Sequence, residues 1–134
     1  MKVIIDTNVL ISGIFFGGAP DKILRAWRKG KLELIVSAEI LEEYLVVCER
    51  ISQRYPSIDV REILLLIAQN STLVDSPVLP EPVSSDPDDD KFLACAIASG
   101  SKLIISGDSD LLTITGYQGI SVIKPRSFTD EHLS

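Results

Sequence analysis

The chain has 134 residues, 46% of them hydrophobic and 24% charged, with a formal net charge of −6 and two cysteines. That length makes one domain, residues 1–134, able to bury roughly two-thirds of its unfolded surface. Apolar runs no longer than a strand exclude a membrane span, and residues 1–6 read as a core strand rather than a secretory leader, so the cytoplasm is the expected compartment.

Strand and helix signals alternate, which predicts an α/β fold with a central parallel sheet and right-handed crossovers. Residues 2–6, Lys-Val-Ile-Ile-Asp, form a first, fully buried strand. After a Gly17-Gly18-Ala19-Pro20 turn, Pro20 suits the first position of a helix and Gly30 its end. Ile23, Leu24 and Trp27 share the inner face of that helix, opposite Lys22, Arg25 and Lys29. Leu32–Val36 is a second strand. Ser37 caps a helix to about Ser52, with Glu39 and Glu42 in its early turns, where the helix dipole favours acids. Its apolar centre is Ile40, Leu41, Tyr44, Leu45 and Cys48.

A further helix spans about Ile58–Asn70, and Thr72–Val74 is a short strand. Four prolines in residues 75–87 (Pro77, Pro80, Pro82, Pro87) rule out regular structure there and predict an extended connector. A helix over about Asp88–Ser99 stops at Gly100. Strands at Leu103–Ser106 and Ser121–Ile123 follow, separated by a helical turn at Ser109–Thr113. The tail from Lys124 carries no clear signal. Cys48 and Cys95 lie in apolar helical patterns and read as buried, reduced thiols.

Two apolar runs end at acids, Asp6 and Asp108. In open α/β sheets ligands bind beyond the carboxyl ends of the strands, and carboxylates gathered there repel unless a cation joins them. Each acid could instead cap a following helix; their joint placement favours a metal. Asp89 falls near the centre of the face formed by Phe92, Leu93, Ala96 and Ile97, while Asp88 and Asp90 fall at its edges and Asp86 lies outside the helix. A carboxylate on a buried face needs a partner. Glu43 flanks the apolar face of its helix and Glu42 points away from it. Arg50, one heptad on, could pair with Glu43 or meet a phosphate. The negative balance argues against a nucleic-acid partner, but setting four site carboxylates aside leaves the chain nearly balanced, and bound cations reverse the local sign.

With these acids in order, the chain resembles the PIN-domain nucleases, specifically the bacterial and archaeal toxin components of toxin–antitoxin pairs (VapC-like). The matching segments are Val3–Gly13, Ser37–Tyr44, Asp86–Leu93 and Ile105–Leu112, in the family's order and spacing. A lone Asp-Thr-Asn triplet is a weak signal; four blocks together are specific. The resemblance implies a three-layer α/β/α PIN-like fold with strand order 3-2-1-4-5. It also implies a Mg²⁺- or Mn²⁺-dependent endoribonuclease site in which Asp6, Glu43, Asp89 and Asp108 are catalytic and bind the metal. Asn8, Ser106, Asp110 and Asp90 are auxiliary positions. An RNA substrate, an antitoxin protein and a homodimer are the implied partners.

Such acids suit hard divalent cations, which take oxygen ligands. Asp6 and Asp89 are expected as central ligands, Asp108 completes the set, and Glu43 holds a second ion or orients the attacking water. His132 is the only histidine and sits in the tail, which argues against histidine-dependent ribonuclease chemistry. The competing readings are a catalytically silent PIN scaffold that binds RNA or an antitoxin, and a different acid-pocket α/β protein. A haloacid-dehalogenase-like phosphatase would need an acid where Asn8 stands. A response receiver could use Lys124 but would leave Glu43 and the Asp86–Asp90 cluster without a role.

Overall fold

Val3, Ile4, Ile5, Leu34, Val36, Ile104 and Ile105 are completely buried, the mark of strands covered on both faces. A computed structural model of the protein describes residues 1–133. In it, β1 (Lys2–Ile5), β2 (Glu33–Val36), β3 (Thr72–Leu73), β4 (Leu103–Ile105) and β5 (Ser121–Ile123) form one sheet in the order β3-β2-β1-β4-β5. Every pairing is parallel. Seven α-helices flank the sheet: α1 (Thr7–Phe15), α2 (Gly18–Arg28), α3 (Ala38–Ser52), α4 (Arg61–Asn70), α5 (Asp90–Ser99), α6 (Ser109–Thr113) and α7 (Pro125–His132). The fold is a three-layer α/β/α sandwich with the strand order expected from the resemblance.

The order places the site. The chain leaves β1 for β2 and β3 on one side, then returns to build β4 and β5 on the other. The topological switch point therefore lies between β1 and β4, where ligand crevices form beyond the strand ends. The register pairs Ile4 with Ile104 and Ile5 with Ile105, so both strands stop level. The Asp6 N–H, donating to the Ile105 carbonyl at 2.9 Å, carries the ladder one residue further.

Several boundaries differ from those expected, each for a local reason. α2 starts at Gly18, two residues ahead of Pro20. β2 and β4 are one residue shorter than predicted. α4 starts at Arg61, not Ile58, because the Asp59 carboxylate accepts from the Arg61 backbone N–H at 3.0 Å and holds the preceding turn out of the helix. α5 begins at Asp90, preceded by a tight 3-10 turn over Pro87–Asp89. Ser37 caps α3 as expected, its hydroxyl accepting from the Ile40 N–H at 3.2 Å. Leu45, expected at the apolar centre of α3, is 40% exposed, and Ile97 on α5 is likewise outward.

The tail from Lys124 is not featureless. Pro125 opens α7, which buries Phe128 completely and packs against α2. The signal was faint because Phe128 is the one large apolar residue in Pro125–His132. Cys48 and Cys95 are buried free thiols, and burial pushes them up to about 11 and about 12. No helix among the described residues is long and apolar enough to cross a membrane.

α1 packs tightly against the start of α2 at Gly13. A Cβ there would lie 2.6 Å from Leu24 Cδ1 and 2.9 Å from the Pro20 carbonyl oxygen. Leu24 can move aside; the Pro20 backbone cannot without shifting α2. We expect Gly13→Ala to lower unfolding free energy by about 1–3 kcal/mol in urea titration, the usual cost of overpacking; an unchanged midpoint would show that the helices separate freely.

Candidate metal centre

Asp6 is the first residue beyond β1 and the N-cap residue of α1, yet its side chain makes no capping bond. Its carboxylate is instead held sideways. Ser106 Oγ, just beyond β4, donates to Asp6 Oδ2 at 2.6 Å and accepts from the Asp108 N–H at 3.0 Å. One hydroxyl thus ties the ends of the two switch-point strands together. Asp6 is 5% exposed, and burial raises its pKa. The Ser106 hydrogen bond opposes that rise, and the charges of Asp108 and Glu43 add to it.

Asp108 does cap: its Oδ1 accepts from the Asp110 N–H at 2.9 Å at the start of α6. Asp89 closes the 3-10 turn before α5 and is 7% exposed. Its Oδ2 is, among the described residues, the fully buried side-chain polar atom with no hydrogen-bond partner. A buried oxygen left unpaired costs stability unless something absent from the chain satisfies it. Burial chiefly, then the charge and hydrogen bond of Asp108, and then the charges of Asp6 and Asp86, push Asp89 up to about 7.

Asp86, Asp89 and Asp110 each offer a carboxylate oxygen within 4.8 Å of the others, a set able to hold a metal ion. Asp86 lies outside the helix, as expected from the sequence, which makes it a weaker candidate than Asp89 there. It joins Asp89 because the intervening turn is 3-10, in which residues three apart eclipse. Asp86 Oδ1 also accepts from the Asp88 N–H at 3.1 Å. Asp110 is steadied by the Ser85 hydroxyl, which donates to its Oδ1 at 2.8 Å. Asp90 has a different occupation: its carboxylate accepts from the Val83 and Ser84 N–H groups at 3.1 and 2.8 Å and fastens the proline-rich connector to α5.

Glu43 enters from α3. Its Oε2 accepts from the Thr7 hydroxyl and its Oε1 pairs with Lys91 Nζ at 2.7 Å. Lys91, not Arg50, is therefore its cation. Neither Thr7 nor Lys91 was singled out in the sequence; Thr7 adjoins Asp6, whereas the partnership of Lys91 spans 48 positions and left no local signal. Tyr44, the next residue, is wholly buried and donates its hydroxyl to the Ile5 carbonyl, which locks α3 to the end of β1. Burial, with the nearby Asp6 charge, raises the Tyr44 pKa well above its usual value. Asn8 is exposed and lines a shallow depression with Ser12, Gly107 and Asp108.

The arrangement is a crescent of acids at the switch point. Asp6 senses Asp108 and Glu43, Asp89 senses Asp108, Asp6 and Asp86, and Asp110 closes on Asp86 and Asp89. An all-oxygen donor set with an unpaired buried carboxylate oxygen fits a hard divalent cation. No curated protein matches the chain. Residues 2–110 match the PIN domain family, and the chain belongs to it. PIN domains are generally metal-dependent nucleases.

Both upward shifts mean that the folded protein keeps protons the unfolded chain has released. The stability contributed by Asp89 is therefore complete below about pH 4 and lost as pH rises through about 7 in the absence of cation, and Asp6 acts in the same direction. We expect the wild type to lose thermal stability relative to Asp89→Asn between pH 4 and 8 in chelator, and Mn²⁺ to restore it at pH 8. A difference between the two proteins that is flat with pH would contradict the burial of this charge.

Proposed function

We propose that this PIN-domain protein is a metal-dependent endoribonuclease that hydrolyses RNA phosphodiester bonds and serves as the toxin of a toxin–antitoxin pair. The observation that carries the reading is the unpartnered Asp89 Oδ2, buried among the Asp6, Asp86 and Asp108 charges at the switch point. A structural carboxylate would be expected to hold hydrogen bonds there, as Asp90 does.

Asp6, Asp89 and Asp108 are the proposed ligands of Mg²⁺ or Mn²⁺, with Asp110 and Asp86 beside them. When bound, the cation supplies Lewis acidity to the scissile phosphate and to the attacking water. The rest falls to the chain. Ser106 fixes the rotamer of Asp6 and the start of the turn carrying Asp108, so two acids keep one spacing. Glu43, held by Thr7 and Lys91, accepts a hydrogen bond from the water that adds to phosphorus, or helps hold a second ion. Lys91 adds positive charge beside an otherwise acidic crescent and lessens its repulsion of a phosphodiester. The attacking water releases one proton to solvent as it bonds to phosphorus, the P–O bond to the leaving ribose oxygen breaks, and that oxygen takes up a proton from solvent.

An antitoxin and a second copy of the chain are proposed partners, on the resemblance. A small DNA-binding protein encoded beside this chain that suppresses cleavage on mixing would support the toxin role. For the chemistry, we expect Mn²⁺-dependent cleavage of single-stranded RNA that chelator abolishes. Asp6→Asn combined with Asp89→Asn should reduce it by at least about a hundredfold, the scale of losing transition-state charge stabilisation. Undiminished cleavage by the double variant would overturn the assignment, and metal binding without turnover in the wild type would favour the silent scaffold.

A further inference from the structure

α1 and α3 run side by side away from the acids. At their beginnings the Thr7 hydroxyl bonds Glu43; at their ends Phe15 meets Tyr55 with ring centroids 5.8 Å apart. Phe16 stands edge-on to Tyr55 at 5.5 Å and 83°, and Phe15 closes the group at 6.3 Å from Phe16. Phe16 is 63% exposed and Tyr55 39%, so two aromatic rings of this trio face solvent. The helical rise puts Phe15, the last residue of α1, roughly 13 Å from Asp6 along that helix, and Tyr55 follows just beyond the end of α3.

Between the two ends, α3 carries Arg50 in its last turn on the Glu43 side of the helix, and Arg54 follows in the turn beyond. Both are exposed. Three cations are tied down: Arg25 to Asp21 and Arg61 to Asp59, each at 2.8 Å, and Lys91 to Glu43 at 2.7 Å. Arg50 and Arg54 have no carboxylate partner among the described residues. Two free guanidinium groups followed by open aromatic rings, continuous with an acidic cleavage site, match the chemistry of a single strand: phosphates for the cations, base faces for the rings.

We propose that this α1–α3 surface is the track for the single-stranded RNA substrate, with Arg50 and Arg54 on backbone phosphates and Phe16 and Tyr55 stacking bases several nucleotides from the scissile bond. The inference rests on the nuclease reading for its substrate, but its test does not need turnover. Phe15 is half-buried and supports the other rings rather than receiving a base.

The test is fluorescence anisotropy of a labelled single-stranded octaribonucleotide with the full chain in chelator, so that no cleavage intervenes. Phe16→Ala with Tyr55→Ala, and separately Arg50→Ala with Arg54→Ala, should each weaken binding by about tenfold or more. The arginine pair should also reduce the slope of affinity against salt by about 1.4, since each of the two phosphate contacts on a single strand contributes about 0.7. Phe16→Trp with Tyr55→Trp should preserve binding, and Leu73→Ala, an exposed apolar residue on the β3 edge, should leave it unchanged. The proposal is overturned if the wild type does not bind the octamer or if both double variants bind within about twofold of it. A change in oligomeric state on removing the rings, with RNA binding unaltered, would likewise overturn it and assign the face to protein contact. Cleavage by the wild type with unaltered binding in the variants would sink the track alone. Altered binding with no cleavage under Mn²⁺ would sink the nuclease reading and leave the track.

Discussion

Parallel pairing of β1 with β4, sealed by the Ser106 hydroxyl between Asp6 and the Asp108 amide, is the constraint on which the site depends. Carboxylates do not assemble unaided; each added negative charge makes the next harder to keep ionised. Here the sheet does the gathering. Asp6 must follow the last residue of β1, Ser106 must follow β4, and level strand ends leave their side chains facing one crevice. The remaining acids arrive on helices docked to that edge, α3 through Tyr44 and the Ile5 carbonyl, α5 through a short tight turn.

Energetically the crescent is a region the rest of the fold must tolerate. The largely aliphatic core, with Tyr44, Phe92 and Phe128 fully enclosed, supplies the hydrophobic stabilisation that lets two buried acids and an unpaired oxygen persist. Strain of this kind is common where chemistry is done, because groups positioned for a ligand are not positioned for each other. The contrast between Asp89 and Asp90 is instructive. Adjacent in sequence, one finds two backbone N–H donors and becomes a fastening for the connector; the other is left with an oxygen that nothing in the chain satisfies.

Much of this was legible in the amino-acid order. β1 and β5 read directly from apolar runs, α3 from its serine cap, and the sheet order from the resemblance. What escaped was governed by geometry finer than a helical wheel. The 3-10 turn over Pro87–Asp89 changes the phase of the acidic run, which brings Asp86 to Asp89 and turns Asp90 toward the connector. The pairing of Lys91 with Glu43, and of Phe15 with Tyr55, joins segments far apart in the chain, where no periodicity exists to report it. α7 has a single large apolar anchor, too little for a pattern.

The account stands or falls on a cation bound where β1 and β4 end. Crystals grown with Mn²⁺ and measured for its anomalous scattering would decide it. A peak coordinated by Asp6, Asp89 and Asp108 is the result the account predicts. No peak, or one held only by surface carboxylates away from Asp6, would contradict it.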